Sequence, residues 1–362
     1  MRRITFLVFC TLTLNLAPIN AQDELSPSSA LVELRYEWQA HTEQVTSMVF
    51  VPNTGHLVST SSNGTMQRRP ITMWHVDNEE VTTVSGAFED VAGVGNIPHV
   101  QLIRTDQVLA AGFGGSTTLF DAPTGRAIAR IPQTWSTSVT SVHLGTFVGG
   151  ENGVIGLWSV NLPSNYRENE ELPEEFIFTP NQAQLITATQ IEHPIHQVLA
   201  ESSTDHILVL TSIGELYQYV LHHDNDVHLN LVLENQNPAT SENRISNHAL
   251  AVLHPQAPHI AYVRSDGEIV VYDYDNQEYL HIYTMPQSIG CIAYVPDGSL
   301  LIIGEGSDQG GLHLFDAETH ELLATFFAGQ PISSCVFNAD GSLLATGYHN
   351  GKISLWNTVW GE

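Results

Sequence analysis

The chain has 362 residues, enough for one large all-β domain or two ordinary ones, and its 42% apolar content suits a packed core. Against 39 Asp and Glu stand only 12 Lys and Arg, with Lys352 the sole lysine. Such a surface repels phosphate backbones and anionic headgroups, which argues against nucleic acid and membrane surfaces as partners.

The first element is a leader. Residues 1–22 read "MRRITFLVFCTLTLNLAPINAQ": basic Arg2 and Arg3, an apolar run from Ile4 to Leu16, then Pro18 and small Ala21. That is the layout of a secretory signal peptide, cleaved after Ala21, and the apolar run is short for a membrane span. An uncleaved anchor is the alternative. The expected organisation is a signal peptide over residues 1–21, a short linker over 22–30 and one domain over 31–362, exported to the periplasm or the exterior with no membrane insertion after cleavage. "LVELRYEWQAH", residues 31–41, then reads as a strand leading into another strand.

From there a unit recurs. Six tight turns carry a glycine followed five positions later by an aromatic: Gly115/Phe120, Gly153/Trp158, Gly214/Tyr219, Gly267/Tyr272, Gly310/Phe315 and Gly351/Trp356. A seventh copy, "ITMWHV" with Trp74, follows a lengthened turn that holds Gly64 and the pair Arg68-Arg69. The aromatics are spaced 46, 38, 61, 53, 43 and 41 residues apart. Four of these spacings approach the roughly 40–45 residues that four short strands need, and two carry insertions. Glycine supplies the positive φ of the turn, alternation along the next strand marks one buried row, and the aromatic adds large buried area. Upstream, "SIGCIAYVPDGSLLIIGEG" and "PISSCVFNADGSLLATGYH" align as strand, Asp-Gly turn, strand. Each unit therefore reads a, b, c and d.

These motifs resemble the WD-repeat β-propeller family. The hallmark dipeptide survives as Phe120-Asp121, Tyr272-Asp273, Phe315-Asp316 and Trp356-Asn357. The resemblance covers about residues 31–362 and implies an all-β, seven-bladed propeller of four-stranded antiparallel blades. The last unit lacks a d strand, so the N-terminal strand is expected to close the ring as the outer strand of the last blade. The family's Gly-His dipeptide persists only as "AH" at His41, "EH" at His193 and "NH" at His248, so its buried hydrogen-bond network is expected to be incomplete in most blades.

Catalytic signals are sparse. No nucleophile elbow, phosphate loop or zinc helix occurs. His193 with His196, and His222 and His223 with His228, do not by spacing make the three or four converging ligands of a zinc site, and no metal or cofactor is expected. Cys291 and Cys335 lie in apolar strands and read as buried, unpaired core residues. Asn63 heads a glycosylation sequon.

The resemblance implies that the face carrying the d–a and b–c loops receives a protein or peptide. Trp38, Arg68, Arg69 and Trp135 are the candidate contacts there, as loop residues combining the types enriched in binding hot spots. The opposite face carries an acidic c–d insertion at about residues 161–178. The expected function is a non-catalytic interaction scaffold; the alternative is a propeller hydrolase or lactonase with a metal or substrate site in the axial channel.

Overall fold

The computed structural model describes residues 32–62, 70–77, 80–88, 99–103, 108–113, 116–132, 136–142, 145–150, 152–160, 183–200, 206–222, 228–235, 250–264 and 267–358. The expected leader and linker, the acidic insertion, the sequon at Asn63 and His248 lie outside them. Among the described residues all regular structure is strand, arranged as seven four-stranded antiparallel sheets.

In the order a, b, c, d, blade 1 comprises Val45–Val51, His56–Ser61, Ile71–Val76 and Val81–Thr83. Blade 2 is Val100–Ile103, Val108–Phe113, Ser116–Asp121 and Ala127–Pro132; blade 3 is Ser136–Val142, Gly145–Gly150, Val154–Val160 and Ala183–Gln190. Blade 4 is Ile195–Ala200, His206–Thr211, Leu216–His222 and His228–Asn235; blade 5 is Ala251–Leu253, His259–Val263, Ile269–Asp273 and Glu278–Tyr283. Blade 6 is Ile289–Tyr294, Leu300–Glu305, Gly311–Asp316 and Leu322–Phe327. Blade 7 runs Ile332–Phe337, Leu343–Tyr348 and Lys352–Thr358, and takes its outer strand, Val32–Gln39, from the other end of the chain. That strand pairs from Val32 with Thr358 to Gln39 with Lys352, so the first and last strands of the domain are joined in one sheet.

The recurring aromatics Trp74, Phe120, Trp158, Tyr219, Tyr272, Phe315 and Trp356 all fall in c strands. In blades 2 to 6 the c–d ladder shifts register at that aromatic, and in blade 7 it shifts beside Trp356. A bulge there increases local twist, which lets the outer strand splay as the ring widens. The turn glycines Gly153, Gly214, Gly267, Gly310 and Gly351 have φ of 77°, 82°, 86°, 60° and 80°, the left-handed region that a side chain resists.

Both faces of every blade are buried, so there is no single core. Seven apolar clusters occupy the seven seams; Val45, Trp74, Ile353 and Leu355 fill the seam between blades 7 and 1, for example.

One expectation fails at the seam between blades 6 and 7. Cys291 and Cys335 are not free thiols: they form a disulfide, with Cα atoms 5.8 Å apart. The reason is phase. Successive side chains of a strand point to opposite faces, and in a propeller those faces meet different neighbours. Cys291 packs in the cluster shared with blade 7 while Ile292 packs toward blade 5. In blade 7 Cys335 packs toward blade 6 and Val336 toward blade 1. By ladder register Cys291 stands where blade 7 has Ser334, so the cysteines are one position out of step and face each other.

Candidate functional site

The face formed by the d–a and b–c connections begins, in blade 1, on a buried polar network. Ser59, fully buried in strand b, takes the indole N–H of Trp74 at 2.8 Å and meets His41 Nε2 at 2.7 Å. Burial drives the His41 imidazole down to about 4, so it is neutral at pH 7. The d–a turn is locked from the other side by Gly351, whose carbonyl accepts the N–H of Ala40 and His41. A Cβ on Gly351 would stand 2.2 Å from the His41 carbonyl oxygen. Blade 7 builds a related device: Trp356 donates to Thr346 Oγ1 at 2.9 Å, and Thr346 donates to the Tyr348 hydroxyl at 2.8 Å.

The other blades lack it. The residues equivalent to Ser59 and Thr346 by ladder register are Ala111, Val148, Val209, Tyr262 and Ile303. Only blades 1 and 7 therefore offer a small hydroxyl to the c-strand aromatic. Ser59→Ala should leave a buried indole N–H and an imidazole without their shared partner, and cost about 1–3 kcal/mol. Urea unfolding checks this; an unchanged midpoint would remove the network from the account of stability.

The aspartates after the aromatic close the c–d turns. Asp121 accepts from the Thr124 N–H and hydroxyl; burial raises its pKa, against those bonds and the charge of Arg126. Asp273 accepts from the N–H of Asp275 and Asn276 and from the Asn276 amide, which outweigh the upward push of burial and lower its pKa. Asp316 accepts from the N–H of Thr319 and Glu318, the former contributing most to a lowered pKa.

Of the four candidate contact residues, Arg68, Arg69 and Trp135 lie outside the described residues. Trp38 is described, and it is not in a loop. It sits in the closing strand, half-buried, with its ring edge-on to Trp74 at 5.8 Å between centroids. The closing strand runs on to Gln39 and so takes in Trp38, which was expected in the loop before the next strand. Trp38 is a closure residue. The connection bearing Arg68 and Arg69 leaves the ring beside the d–a turn, since Ser62 N–H bonds to Gln44 O at 3.1 Å and Ser61 N–H to Pro70 O at 2.9 Å.

Sequence reasoning missed the polar lattice around the only lysine. Lys352 Nζ meets Glu37 Oε1 at 2.6 Å, and Gln330 donates to Glu37 Oε2 at 2.9 Å while accepting from Asn350 at 2.6 Å. Glu37 consequently has a lowered pKa, chiefly through the Lys352 bond. The lattice joins the two ends of the domain, which no local pattern could reveal.

On the axis, a cavity of about 300 Å³ is lined by inner-strand residues of blades 1, 4, 5, 6 and 7, including Ser47, Gln197, Ser334 and Cys335. Among the described residues no three His, Cys, Asp or Glu side chains gather in a way that could hold a metal. His193 pairs instead with Glu215, at 3.0 Å.

Comparisons with known proteins fit this geometry. The family described as "WD domain, G-beta repeat" matches residues 32–67 and 320–357. The WD40 β-propeller domain of Doa1 superimposes with a TM-score of 0.63, covering 90% of this chain and 97% of that one at 16% identity. The chain is a seven-bladed β-propeller with WD-repeat matches near both ends.

The two matched stretches are those that contain Ser59 and Thr346, the b-strand hydroxyls of blades 1 and 7. The propeller is also 31% identical over 111 residues to the mouse cilia- and flagella-associated protein 251 and 33% identical over 79 residues to a potato guanine nucleotide-binding protein subunit beta. A Dictyostelium discoideum serine-threonine kinase receptor-associated protein is 32% identical over 91 residues. These alignments span 29%, 20% and 25% of this chain, and only 8%, 20% and 30% of the respective relatives.

Proposed function

We propose that the protein is an exported, non-catalytic scaffold that receives a protein or peptide on the face of its d–a and b–c loops. The observation that carries this reading is how the described polar side chains are used. His41, Ser59 and Trp74, the turn aspartates, and Glu37 with Lys352 all fasten the ring, engaged with one another. Export is supported by the leader-like first residues and by the Cys291–Cys335 disulfide, a bond that oxidising compartments sustain.

Arg68 and Arg69 put two of the few basic residues side by side in one connection, where a guanidinium can grip a partner carboxylate with two bonds. Arg68→Glu with Arg69→Glu, or Trp135→Ala, is expected to weaken capture of partners from the exported fraction at least tenfold, the loss of one hot-spot residue being about 2 kcal/mol or more. The melting temperature should not change. Deleting residues 164–175 on the opposite face should leave capture intact; the reverse pattern would put the partner on the other face. N-terminal sequencing checks export: the mature protein should begin at Gln22, and a cell-retained chain beginning at Met1 would overturn it.

A further inference from the structure

The inner strands of neighbouring blades are stitched by side chains, and the stitches differ in chemistry. Blade 1 reaches blade 2 through Ser47 Oγ, which donates to Val100 O at 3.1 Å. Ser138 Oγ of blade 3 accepts the N–H of Val198 in blade 4 at 3.0 Å. Gln197 of blade 4 clasps Ala251 of blade 5 with two bonds of 2.9 Å. The disulfide joins blades 6 and 7, and Ser333 Oγ of blade 7 donates to Val45 O of blade 1 at 2.8 Å. Hydroxyls, an amide and a disulfide do not ionise between pH 4 and 8; where blade 7 meets blade 1 the titratable group is His41, held by Gly351 and Ser59.

Blades 5 and 6 are stitched by histidines. After strand a of blade 5, His254 Nδ1 accepts two backbone N–H groups, from Gln256 at 3.1 Å and Ala257 at 3.0 Å. That nitrogen must be bare, so the ring proton sits on Nε2, which donates across the seam to Gly298 O at 3.0 Å. A Cβ on Gly298 would lie 2.5 Å from His254 Cε1, so the bond depends on this left-handed glycine, with φ of 77°. Toward the rim, His320 in the c–d turn of blade 6 stacks on His281 of blade 5 at 4.4 Å between centroids. His320 Nδ1 lies 3.0 Å from the Tyr283 hydroxyl, also of blade 5.

We propose that the seam between blades 5 and 6 is an acid-operated latch, closed when His254, His281 and His320 are neutral and opened when they take up protons. Protonating His254 sets an N–H against two N–H donors. Protonating both stacked rings sets two cations face to face. Burial depresses the pKa of all three, with His259 adding to it at His254, and His281 and His259 at His320. The facing groups are known. His259 and Asp273, 3.7 Å apart, come from blade 5; Tyr294, stacked edge-on to His254 at 4.8 Å, comes from blade 6. Asp297 is turned to Ser299, and Asp316 opposes the depression of His320 without overcoming it. Depressed histidines bind fewer protons in the closed seam than in the open one, so the latch is full above pH 6.5 and weakens as pH falls below it.

Hydrogen exchange of the full, oxidised protein at pH 7.5 and 5.0, corrected for intrinsic rates, tests this. Protection in peptides covering 250–263 and 289–304 should fall at pH 5.0 at least about tenfold more than in 145–160 of blade 3, which holds no histidine; one unit of pKa depression is worth tenfold. His281→Gln with His320→Gln should move the midpoint of this loosening to lower pH. Seams that loosen in parallel in the unmodified protein, or a midpoint unmoved by the double substitution, would overturn the latch; the unmodified protein decides alone if the variant does not fold.

Discussion

Deleting residues 32–39 is expected to abolish cooperative folding of the domain or lower its stability by about 5 kcal/mol or more, against the roughly 5–15 kcal/mol of an ordinary domain. Seven residue pairs join this strand to Lys352–Thr358, and each net backbone bond is worth about 1 kcal/mol. Tyr36 and Trp38 leave the seam cluster of blades 7 and 1, which strips the edge of Trp74. Glu37 abandons Lys352, Gln330 and Ser354. The truncated blade 7 would expose an unpaired edge at Lys352–Thr358, the kind of edge that invites aggregation. Differential scanning calorimetry is the measurement, with deletion of residues 22–30 as the control expected to be silent. A synthetic peptide of residues 32–39 should restore part of the transition. Equal melting temperatures for intact and truncated protein would show that the ring holds without its closing strand.

Removing the disulfide is the second large effect. Replacing Cys291 and Cys335 together by serine frees a loop with a sequence separation of 44 residues, and the loop-entropy estimate for that length is about 4 kcal/mol. For a chain of this size the expected fall in melting temperature is about 5–10 °C. Because the bond ties blade 6 to blade 7, unfolding should begin at that seam. The oxidised protein denatured without reductant should label with no thiol reagent at these positions and label at both after reduction. Two reactive thiols in the unreduced, denatured protein would restore the free-cysteine reading and remove this prediction.

The ring could be read from sequence because its signals are short-range. Gly153, Gly214 and Gly267 mark turns by conformational need, and Trp158, Tyr219 and Tyr272 follow them at a fixed distance because each occupies the same place in a c strand. The need for a final outer strand pointed to residues 31–41 on the same grounds. The loss of the Ser59-type hydroxyl from the intermediate blades was likewise foreshadowed by the scarcity of Gly-His dipeptides. Trp38 was misplaced because no local pattern says where the closing strand, which runs to Gln39, stops and its turn begins.

By itself, then, the sequence determined how many units there are, which residues turn the chain and which strand completes the last blade, since all of these depend on patterns a few residues long. Tertiary structure alone decided what crosses the seams. The pairing of Cys291 with Cys335, the grip of Lys352 on Glu37 and the reach of His254 to Gly298 depend on which neighbour a side chain faces. That direction reverses with every residue along a strand and shifts again at each bulge, as it does between Ile289 and Cys291. A one-residue difference in phase exchanges one neighbouring blade for the other, and only the assembled register settles it.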